Sequence, residues 1–225
     1  MPPAIERLGD SALLLRFGDS IDAELNARVH AAARHLQAVR PAWLVDLVPA
    51  YATLGVFVDL GALDASDDPL ATARDWLLAR LASPADARAD DDARMIELVV
   101  DYGGDAGPDL AAVATQASMT PDDVVRRHTA VDYRVAMLGF APGFPYLLGL
   151  DPALATPRLD TPRERVPAGS VAIGGAQTGL YPQESPGGWR LIGRTDAVLF
   201  DATRDPPTAL QAGDRVRFVA RKDRQ

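Results

Sequence analysis

Hydrophobic and polar positions in the first third of the chain follow two periods in turn, one typical of strands and one typical of helices. Residues 12–15, 44–48 and 54–58 are apolar runs of strand length. After the first run, apolar residues recur with helical spacing, and Ser20 is placed to cap a helix that Pro41 ends. The apolar stripe of this first helix is Ile21, Leu25, Val29, Leu36 and Val39.

A second helix is predicted after Asp68, which is placed to act as its N-cap, with Pro69 in the first turn. Its apolar face consists of Leu70, Ala73, Leu77 and Leu81. The resulting order of strand, helix, strand, strand and helix predicts a small α+β domain over residues 1–82.

Residues 83–94 are predicted to be a linker, because they show no apolar periodicity. They contain three consecutive acidic residues, Asp90, Asp91 and Asp92, but no histidine or glutamate. A solvated linker therefore explains this acidic run better than a metal site does.

The second domain, residues 95–225, begins with a strand in which Ile96, Leu98 and Val100 alternate with outward positions. Short helices are predicted to start at 107–109 and at 120–123. The second of these has a hydroxyl cap, a first-turn proline and acidic residues that face the positive end of the helix dipole.

Glycine and proline dominate residues 139–193, which hold ten of the 18 glycines and eight of the 18 prolines. Helices do not propagate through this density. The apolar pieces in this region and after it have strand length: 170–173, 190–192, 197–201 and 215–220. The second domain is therefore predicted to be a compact β-barrel, and the fold class of the chain is predicted to be α+β.

The composition is that of a soluble globular protein, with 48% hydrophobic and 24% charged residues. No apolar run approaches the roughly 18 residues of a membrane helix, and the first ten residues lack the features of a signal peptide. The absence of cysteine suits a reducing compartment, so we expect a cytoplasmic protein without a membrane anchor. The net charge of −8 argues against non-specific binding of nucleic acid.

Lysine is nearly absent, because only Lys222 among the 23 basic residues is a lysine. The chain therefore has no G-x-x-x-x-G-K-[ST] phosphate loop, no credible Schiff-base lysine and no Met-Lys-Met site for biotin. If ATP or biotin takes part in the function, another chain must bind it. No motif in the sequence predicts a metal site either.

Residues 139–147 form an unusual segment in which glycines and prolines alternate with aromatic residues, including Phe144 and Tyr146. Such a stiff backbone gives each ring a defined direction, so the segment can present an apolar wall to a ligand or a partner chain. The alternative is a loop that caps the barrel and whose rings belong to the core.

Two Pro-Arg units follow, and they place Arg158 and Arg163 five residues apart in a glycine-rich region. A preceding proline restricts the local backbone, and arginine suits bidentate contact with carboxylates or phosphates. The two arginines are therefore candidate catalytic residues at an anion site. Asp160 and Glu164 could instead neutralise them within the chain.

The stretch from 177 to 195 supplies further candidates for substrate binding. Gln177 and Tyr181 have neutral hydrogen-bonding side chains that suit an amide. Two consecutive glycines can adopt special backbone conformations and leave their amides open. The full set of candidates here is Gln177, Tyr181, Gly187, Gly188, Trp189 and Arg194. A tight barrel turn with a buried tryptophan is the alternative.

His128 is the candidate acid–base residue among the three histidines. It is predicted to lie at the C-terminus of a helix, where the dipole favours the imidazolium form. A capping or packing role is the alternative. His30 and His35 fall on the first amphipathic helix and are predicted to be exposed.

Residues 139–195 closely resemble the signature of the carboxyltransferase subdomain C/D family, and residues 9–13, 48–51 and 102–110 match its other landmarks. The family includes the B subunit of bacterial 5-oxoprolinase, chains described as allophanate hydrolase subunit 1, and KipI-type inhibitors of sporulation kinases. The resemblance implies a small N-terminal α/β domain followed by a cyclophilin-like β-barrel.

The resemblance also implies a function that needs companion chains. A 5-oxoprolinase of this type joins A, B and C subunits, of which the C subunit supplies a related barrel, and opens 5-oxo-L-proline to L-glutamate with hydrolysis of ATP. A chain that resembles the B subunit is then expected to be inactive alone. Two alternatives remain open, a protein that inhibits a sensor histidine kinase by binding it, and a component of an allophanate hydrolase or urea carboxylase.

Overall fold

The computed structural model describes residues 3–63, 68–82 and 93–221, which fall into two compact units, Met1–Ala93 and Arg94–Gln225. In the described part of the first unit, four antiparallel strands form a sheet in the order β1-β2-β4-β3. The elements of this unit are β1 (Ala4–Arg7), β2 (Ala12–Arg16), α1 (Ala23–Ala38), β3 (Leu44–Pro49), β4 (Thr53–Val58) and α2 (Pro69–Leu81).

The core of the first unit lies between one face of the sheet and the apolar faces of the two helices. The predicted face of α2 is confirmed, because Leu70, Ala73 and Leu77 are buried. Asp68 caps this helix as predicted, and its carboxylate accepts a 3.1 Å hydrogen bond from the Ala71 amide. Local sequence and packing therefore agree here.

Two predictions for the first unit are wrong in detail, and one strand was not predicted. The cap of α1 is Asp22, whose side chain accepts from the Glu24 and Leu25 amides, and not Ser20. His30 is buried instead of exposed, with 3% of the residue accessible. The short edge strand β1 was not predicted, because its four residues carry no clear alternation and depend on pairing with β2.

The predicted linker, 83–94, falls almost entirely outside the described residues. The same is true of the acidic run 90–92 and of Lys222. The linker therefore stays a prediction. No helix in the described parts of the chain combines the length and the apolar character needed to span a membrane.

The second unit contains a closed barrel with the strand order β10-β7-β6-β13-β5-β12-β9, and a separate two-stranded ribbon, β8–β11. Strands β5 and β13 pair in parallel, whereas the other neighbours in the barrel are antiparallel. The strands are β5 (Met95–Tyr102), β6 (Asp132–Leu138), β7 (Pro145–Leu148), β8 (Arg163–Val166), β9 (Ser170–Gly174), β10 (Gln177–Leu180), β11 (Ser185–Gly187), β12 (Arg190–Arg194) and β13 (Arg215–Ala220).

The barrel interior is filled with side chains. Alternate residues of the strands point inward, so that Val100, Val135 and Ile173, for example, are fully buried in one core. The α+β class, with a small mixed unit followed by a β-barrel, is confirmed.

Two helices, α3 (Leu110–Gln116) and α4 (Pro121–Thr129), pack against this core. The predicted start of α4 is confirmed by a capping box, in which the Asp123 amide donates to the Thr120 hydroxyl and the Asp123 carboxylate accepts from the Thr120 amide.

The strand predicted at 197–201 is wrong. The alternation is real, since Val198 is exposed and Leu199 is buried. However, the segment finds only an isolated bridge between Phe200 and Thr208. A strand needs a continuous hydrogen-bonded neighbour, and the barrel closes without one at this position.

Candidate functional site

A second apolar cluster of this unit lies on the outside of the barrel wall. Residues on a strand alternate between the two faces of the wall, so Val171 points into the barrel core whereas Ala172 belongs to the outer cluster. The ribbon strand β8 contributes Val166. The buried members of this aromatic cluster are Phe144, Val166, Ala172, Tyr181, Trp189 and Leu191.

Phe144 is the centre of the cluster. Its ring centroid lies 4.9 Å from that of Tyr146, 5.2 Å from that of Tyr181 and 5.6 Å from that of Trp189. The rings are tilted or edge-to-face, which are the favourable arrangements for aromatic pairs. The rings are therefore held in a defined geometry.

Two aromatic side chains of the cluster lie so close to the backbone that only glycine fits at the contact. A Cβ atom on Gly174 would collide with the Trp189 ring, and one on Gly187 would collide with the Tyr181 hydroxyl. Neither Gly187 nor Gly188 has a positive φ, so the special conformations predicted for this pair are wrong. The Gly188 carbonyl accepts a 2.7 Å hydrogen bond from the Leu159 amide.

Arg158 is exposed, but its position is fixed by the residues on either side. The Pro157 carbonyl accepts from Arg190 Nε at 3.2 Å, and the Leu159 amide is bound to the carbonyl of Gly188. The Arg158 guanidinium lies 5.5 Å from the centroid of the Trp189 ring, in a cation–π contact. A solvent-facing cation is therefore held above the aromatic cluster.

Arg163 is partly buried and has an acidic partner that the sequence did not suggest. Its Nη2 donates to Asp109 Oδ1 at 2.8 Å, whereas Asp160 and Glu164 were the predicted alternatives. The other terminal nitrogen, Nη1, is buried and has no hydrogen-bond partner among the described residues. Arg163 therefore keeps one donor unused.

Tyr181 lies close to both arginines. Burial raises the pKa of its hydroxyl, while a backbone hydrogen bond from Trp189 and the charges of Arg158 and Arg163 act in the opposite direction. Because the net direction is upward, the phenol stays protonated at neutral pH. It can therefore serve as a neutral hydrogen-bond donor, as predicted for an amide ligand.

The other two polar candidates, Gln177 and Arg194, lie in different places. Gln177 pairs with Gly174 across β9 and β10, and shares a strand face with Gly179, which contacts the Phe144 ring. Gln177 is thus on the side of the aromatic cluster. Arg194 is bound to a different turn, where its Nε donates to the Ala168 carbonyl at 3.0 Å.

His128 lies in the barrel interior and is fully buried. Its Nδ1 is 2.8 Å from the Tyr102 hydroxyl, and its Nε2 is 3.1 Å from Thr178 Oγ1. Its ring stacks on Phe218 with 4.6 Å between centroids. Burial lowers the pKa of His128 to about 3, so the imidazolium form expected from the helix dipole is wrong. The geometry favours packing, and the catalytic role stays a prediction.

Two residues of this region were absent from the predicted set. Phe140 is 64% exposed and has a φ of 68°, a conformation that costs a phenylalanine about 1–2 kcal/mol. Its ring lies 5.4 Å from Phe144 and 6.2 Å from Tyr181. The other residue is Asp109. The position of Phe140 in the glycine- and proline-rich segment was a signal for it, but no local signal identified Asp109.

We call the assembled surface the outer site. It consists of Phe140, Phe144, Tyr146, Arg158, Arg163, Tyr181 and Trp189. It combines rigid rings, a solvent-facing cation, an unused guanidinium donor and a neutral phenol, which suits a small ligand with an apolar part and oxygen acceptors. No group of three or more potential metal ligands occurs in the described stretches of the chain.

The sequence of this chain is similar to those of known proteins. The chain matches the carboxyltransferase domain, subdomain C and D, over residues 3–210. It is 43% identical over 220 residues to the B subunit of 5-oxoprolinase from Bacillus subtilis, an alignment that covers 96% of this chain and 91% of that protein. It is 42% identical over 212 residues to the B subunit of 5-oxoprolinase from Haemophilus influenzae, which covers 94% of this chain and 95% of that protein.

A solved structure shows the same fold. The crystal structure of TTHA0988 is 38% identical to this chain, with a TM-score of 0.80 over 95% of this chain and 40% of that one. The chain therefore spans two fifths of the length of TTHA0988.

Proposed function

The chain belongs to the family of the carboxyltransferase domain, subdomain C and D, and on that premise we propose that it is the B subunit of a 5-oxoprolinase. In this proposal the A, B and C subunits together hydrolyse 5-oxo-L-proline to L-glutamate at the expense of ATP. The two relatives that are named as B subunits, and that align over nearly the whole chain, support this assignment.

The observation that carries the proposal is the incomplete character of the outer site. Arg158 is a cation open to solvent, Arg163 has an unused buried donor, and Phe140 exposes most of its ring. These groups bind and orient a ligand, but they provide neither a nucleophile nor a base of suitable pKa. The site is therefore one side of a pocket that a companion chain completes.

The proposed substrate fits the polar groups of the outer site. 5-Oxo-L-proline has one carboxylate and one cyclic amide. Arg158 is placed to attract the carboxylate. Tyr181, kept protonated by burial, and Gln177 are placed to hydrogen-bond with the amide.

Binding of ATP is assigned to a companion chain. The sequence has one lysine and no phosphate loop. The same argument excludes a biotin carrier site on this chain. The chain's own part in the reaction is to hold and orient the cyclic amide while water is excluded.

The alternatives use the same surface. An inhibitor of a sensor histidine kinase would dock the exposed ring of Phe140 and the neighbouring arginine on its target, and a urea carboxylase or allophanate hydrolase component would bind a different amide. The identity to two 5-oxoprolinase B subunits favours the 5-oxoprolinase.

Reconstitution of the purified chains tests the proposal. The chain alone is expected to show no 5-oxoproline-dependent hydrolysis of ATP, whereas the mixture with the A and C subunits forms L-glutamate and phosphate. Activity of the chain alone would contradict the division of labour. An inactive mixture together with inhibition of kinase autophosphorylation would replace the proposal with the first alternative.

A further inference from the structure

Asp109 occupies the N-cap position of α3 but does not cap the helix. Aspartate at this position normally accepts a hydrogen bond from an amide in the first turn, and the Asp109 side chain makes none. Its Oδ1 accepts from Arg163 Nη2 at 2.8 Å, and its Oδ2 accepts from the Leu191 amide at 2.7 Å. The carboxylate therefore connects the start of α3 with β8 and β12.

This ion pair restrains the Arg163 side chain at Nη2. The Asp109 side chain is nearly buried, with 10% exposed, whereas 29% of the Arg163 side chain is exposed, so water and salt screen the ion pair only in part. Both oxygens of Asp109 are occupied. Arg163 Nη1 is left as a buried donor without a partner among the described residues.

A buried donor without an acceptor is unfavourable, and such groups are rare in folded proteins. Ser185 Oγ, on the opposing strand of the same ribbon, is buried without a partner as well within the described part of the chain. A ligand oxygen that reaches Arg163 Nη1 would supply the acceptor that this donor lacks.

The charges around this position define the ligand. Asp109 neutralises Arg163, whereas no carboxylate pairs with Arg158 in the described part of the chain. Arg158 therefore lies beside Arg163 as a cation without an ion pair among the described residues. A monocarboxylate would pair with Arg158 and supply an oxygen acceptor for Arg163 Nη1.

We infer that Asp109 is a positioning residue of the outer site, which holds Arg163 so that Nη1 meets an oxygen of a bound monocarboxylate. This inference rests on the proposed function where it identifies that ligand as 5-oxo-L-proline. Asp109 itself does not touch the ligand, because both of its oxygens are already bound within the chain.

Asp214 provides a matched control in the same unit. Like Asp109, it is a buried aspartate that binds one arginine and one backbone amide, with Arg94 Nε at 3.0 Å and the Gln211 amide at 2.7 Å. It lies beside the first residues of β5 and β13, and it is not part of the outer site. Asp109→Asn and Asp214→Asn therefore make the same chemical change in two places.

The first test uses the complete assembly of the A, B and C subunits. Asp109→Asn is expected to raise the KM for 5-oxo-L-proline by about tenfold with kcat changed less than about twofold, since it removes binding that the ground state and the transition state share. Asp214→Asn is expected to leave KM unchanged. A fall in stability with an unchanged KM for Asp109→Asn would overturn the inference.

A double variant separates positioning from structure. If Asp109 acts through Arg163, adding Asp109→Asn to Arg163→Gln raises KM no further than Arg163→Gln alone. Additive effects on KM would show that Asp109 acts independently of Arg163, and would contradict the inference.

The second test does not depend on 5-oxoprolinase activity. The isolated full chain, with ¹⁵N-labelled arginine, is titrated with sodium acetate as a monocarboxylate probe. The Arg163 side-chain signals are expected to shift in the wild type and in Asp214→Asn, but not in Asp109→Asn. If the wild-type assembly has no activity, the proposed function fails while this titration still decides. Unshifted Arg163 signals in the wild type would overturn the inference.

Discussion

Two groups of aromatic side chains pack on opposite sides of the same barrel wall. They differ in whether the polar atoms beside them have hydrogen-bond partners within the chain. Inside, His128 uses both ring nitrogens, and the Tyr133 hydroxyl donates to the His128 carbonyl at 2.9 Å. Outside, Arg158 faces solvent and Arg163 has an unused donor. The polar groups of His128 and Tyr133 are thus bound within the chain, whereas Arg163 Nη1 has no partner among the described residues.

Neighbouring residues on one strand contribute to the two sides of the wall. On β10, Thr178 points inward to His128, while its neighbour Gly179 points outward to the Phe144 ring. Because Thr178 Oγ1 donates to the Ala172 carbonyl at 2.9 Å, it accepts from His128 Nε2, so the Tyr102 hydroxyl donates to Nδ1. His128 is therefore a neutral imidazole whose two ring nitrogens are both hydrogen-bonded within the chain.

The largest effect that separates the two regions is expected at Arg158. In the reconstituted assembly, Arg158→Ala should lower kcat/KM for 5-oxo-L-proline by about 100-fold, because the carboxylate loses a charged partner. The free energy of unfolding should change by less than about 0.5 kcal/mol, since this side chain is exposed. Steady-state kinetics and urea denaturation measure the two quantities.

Arg165→Ala is the control for this change. Arg165 lies on the ribbon strand β8, near the outer site. Its side chain is 81% exposed and its Nε lies 3.6 Å from Glu184 Oε1, so both kinetics and stability should stay as in the wild type. Equal losses of activity for the two variants would show that the outer site responds to net charge and not to the position of Arg158.

A smaller effect is expected from His128 through pH. Its pKa falls from 6.5 in the unfolded chain to about 3 in the folded protein, so the unfolded chain binds more protons between these values. The free energy of unfolding should therefore decrease as the pH falls below 6.5, by at most about 1.4 kcal/mol per pH unit from this residue.

His128→Gln should remove this contribution and give a shallower slope between pH 6.5 and about 5, where carboxyl groups contribute little. Urea denaturation at several pH values measures the slope. An identical slope in wild type and variant would contradict a neutral, buried His128. If His128 has the predicted acid–base role, His128→Gln should lower the kcat of the reconstituted A, B and C assembly. The decrease should be larger than the loss of folded protein explains.

The smallest effect is expected at Phe140. Asparagine adopts a positive φ more readily than phenylalanine, so Phe140→Asn should raise the free energy of unfolding by up to about 1 kcal/mol. The activity of the assembly should fall several-fold, because the exposed ring no longer contacts the ligand or the companion chain. A less stable and fully active variant would show that the ring belongs to the structure alone.

Much of the fold followed from local signals. Thr120, Pro121 and Asp123 predicted the start of α4, and Asp68 predicted the start of α2. The alternation in β5 and the density of glycine and proline after residue 139 predicted a barrel. The family resemblance of residues 139–195 is confirmed by the match over residues 3–210. These signals are local because caps and strand periods depend on neighbours in sequence.

The site was predictable in composition but not in arrangement. Phe144, Tyr181 and Trp189 do come together with Arg158 and Arg163. The charge state of His128 was predicted wrongly, because the helix dipole is a small effect compared with the desolvation of a fully buried charge.

Asp109 shows why other parts of the site could not be predicted from the sequence. Its partners, Arg163 and Leu191, are 54 and 82 residues away in sequence. Only the folded second unit brings the ribbon strand β8 and the barrel strand β12 beside the start of α3. Similarly, β1 exists because β2 offers it hydrogen-bonding partners, which no pattern within four residues can indicate.

In the proposed complex, the outer site is one side of a pocket that a companion chain completes. A structure of the reconstituted assembly of the A, B and C subunits with 5-oxo-L-proline bound tests this arrangement. We expect the ligand carboxylate within hydrogen-bonding distance of Arg158 or Arg163, with a companion chain over Phe140. A ligand bound elsewhere, with the outer site still open to water, would contradict it.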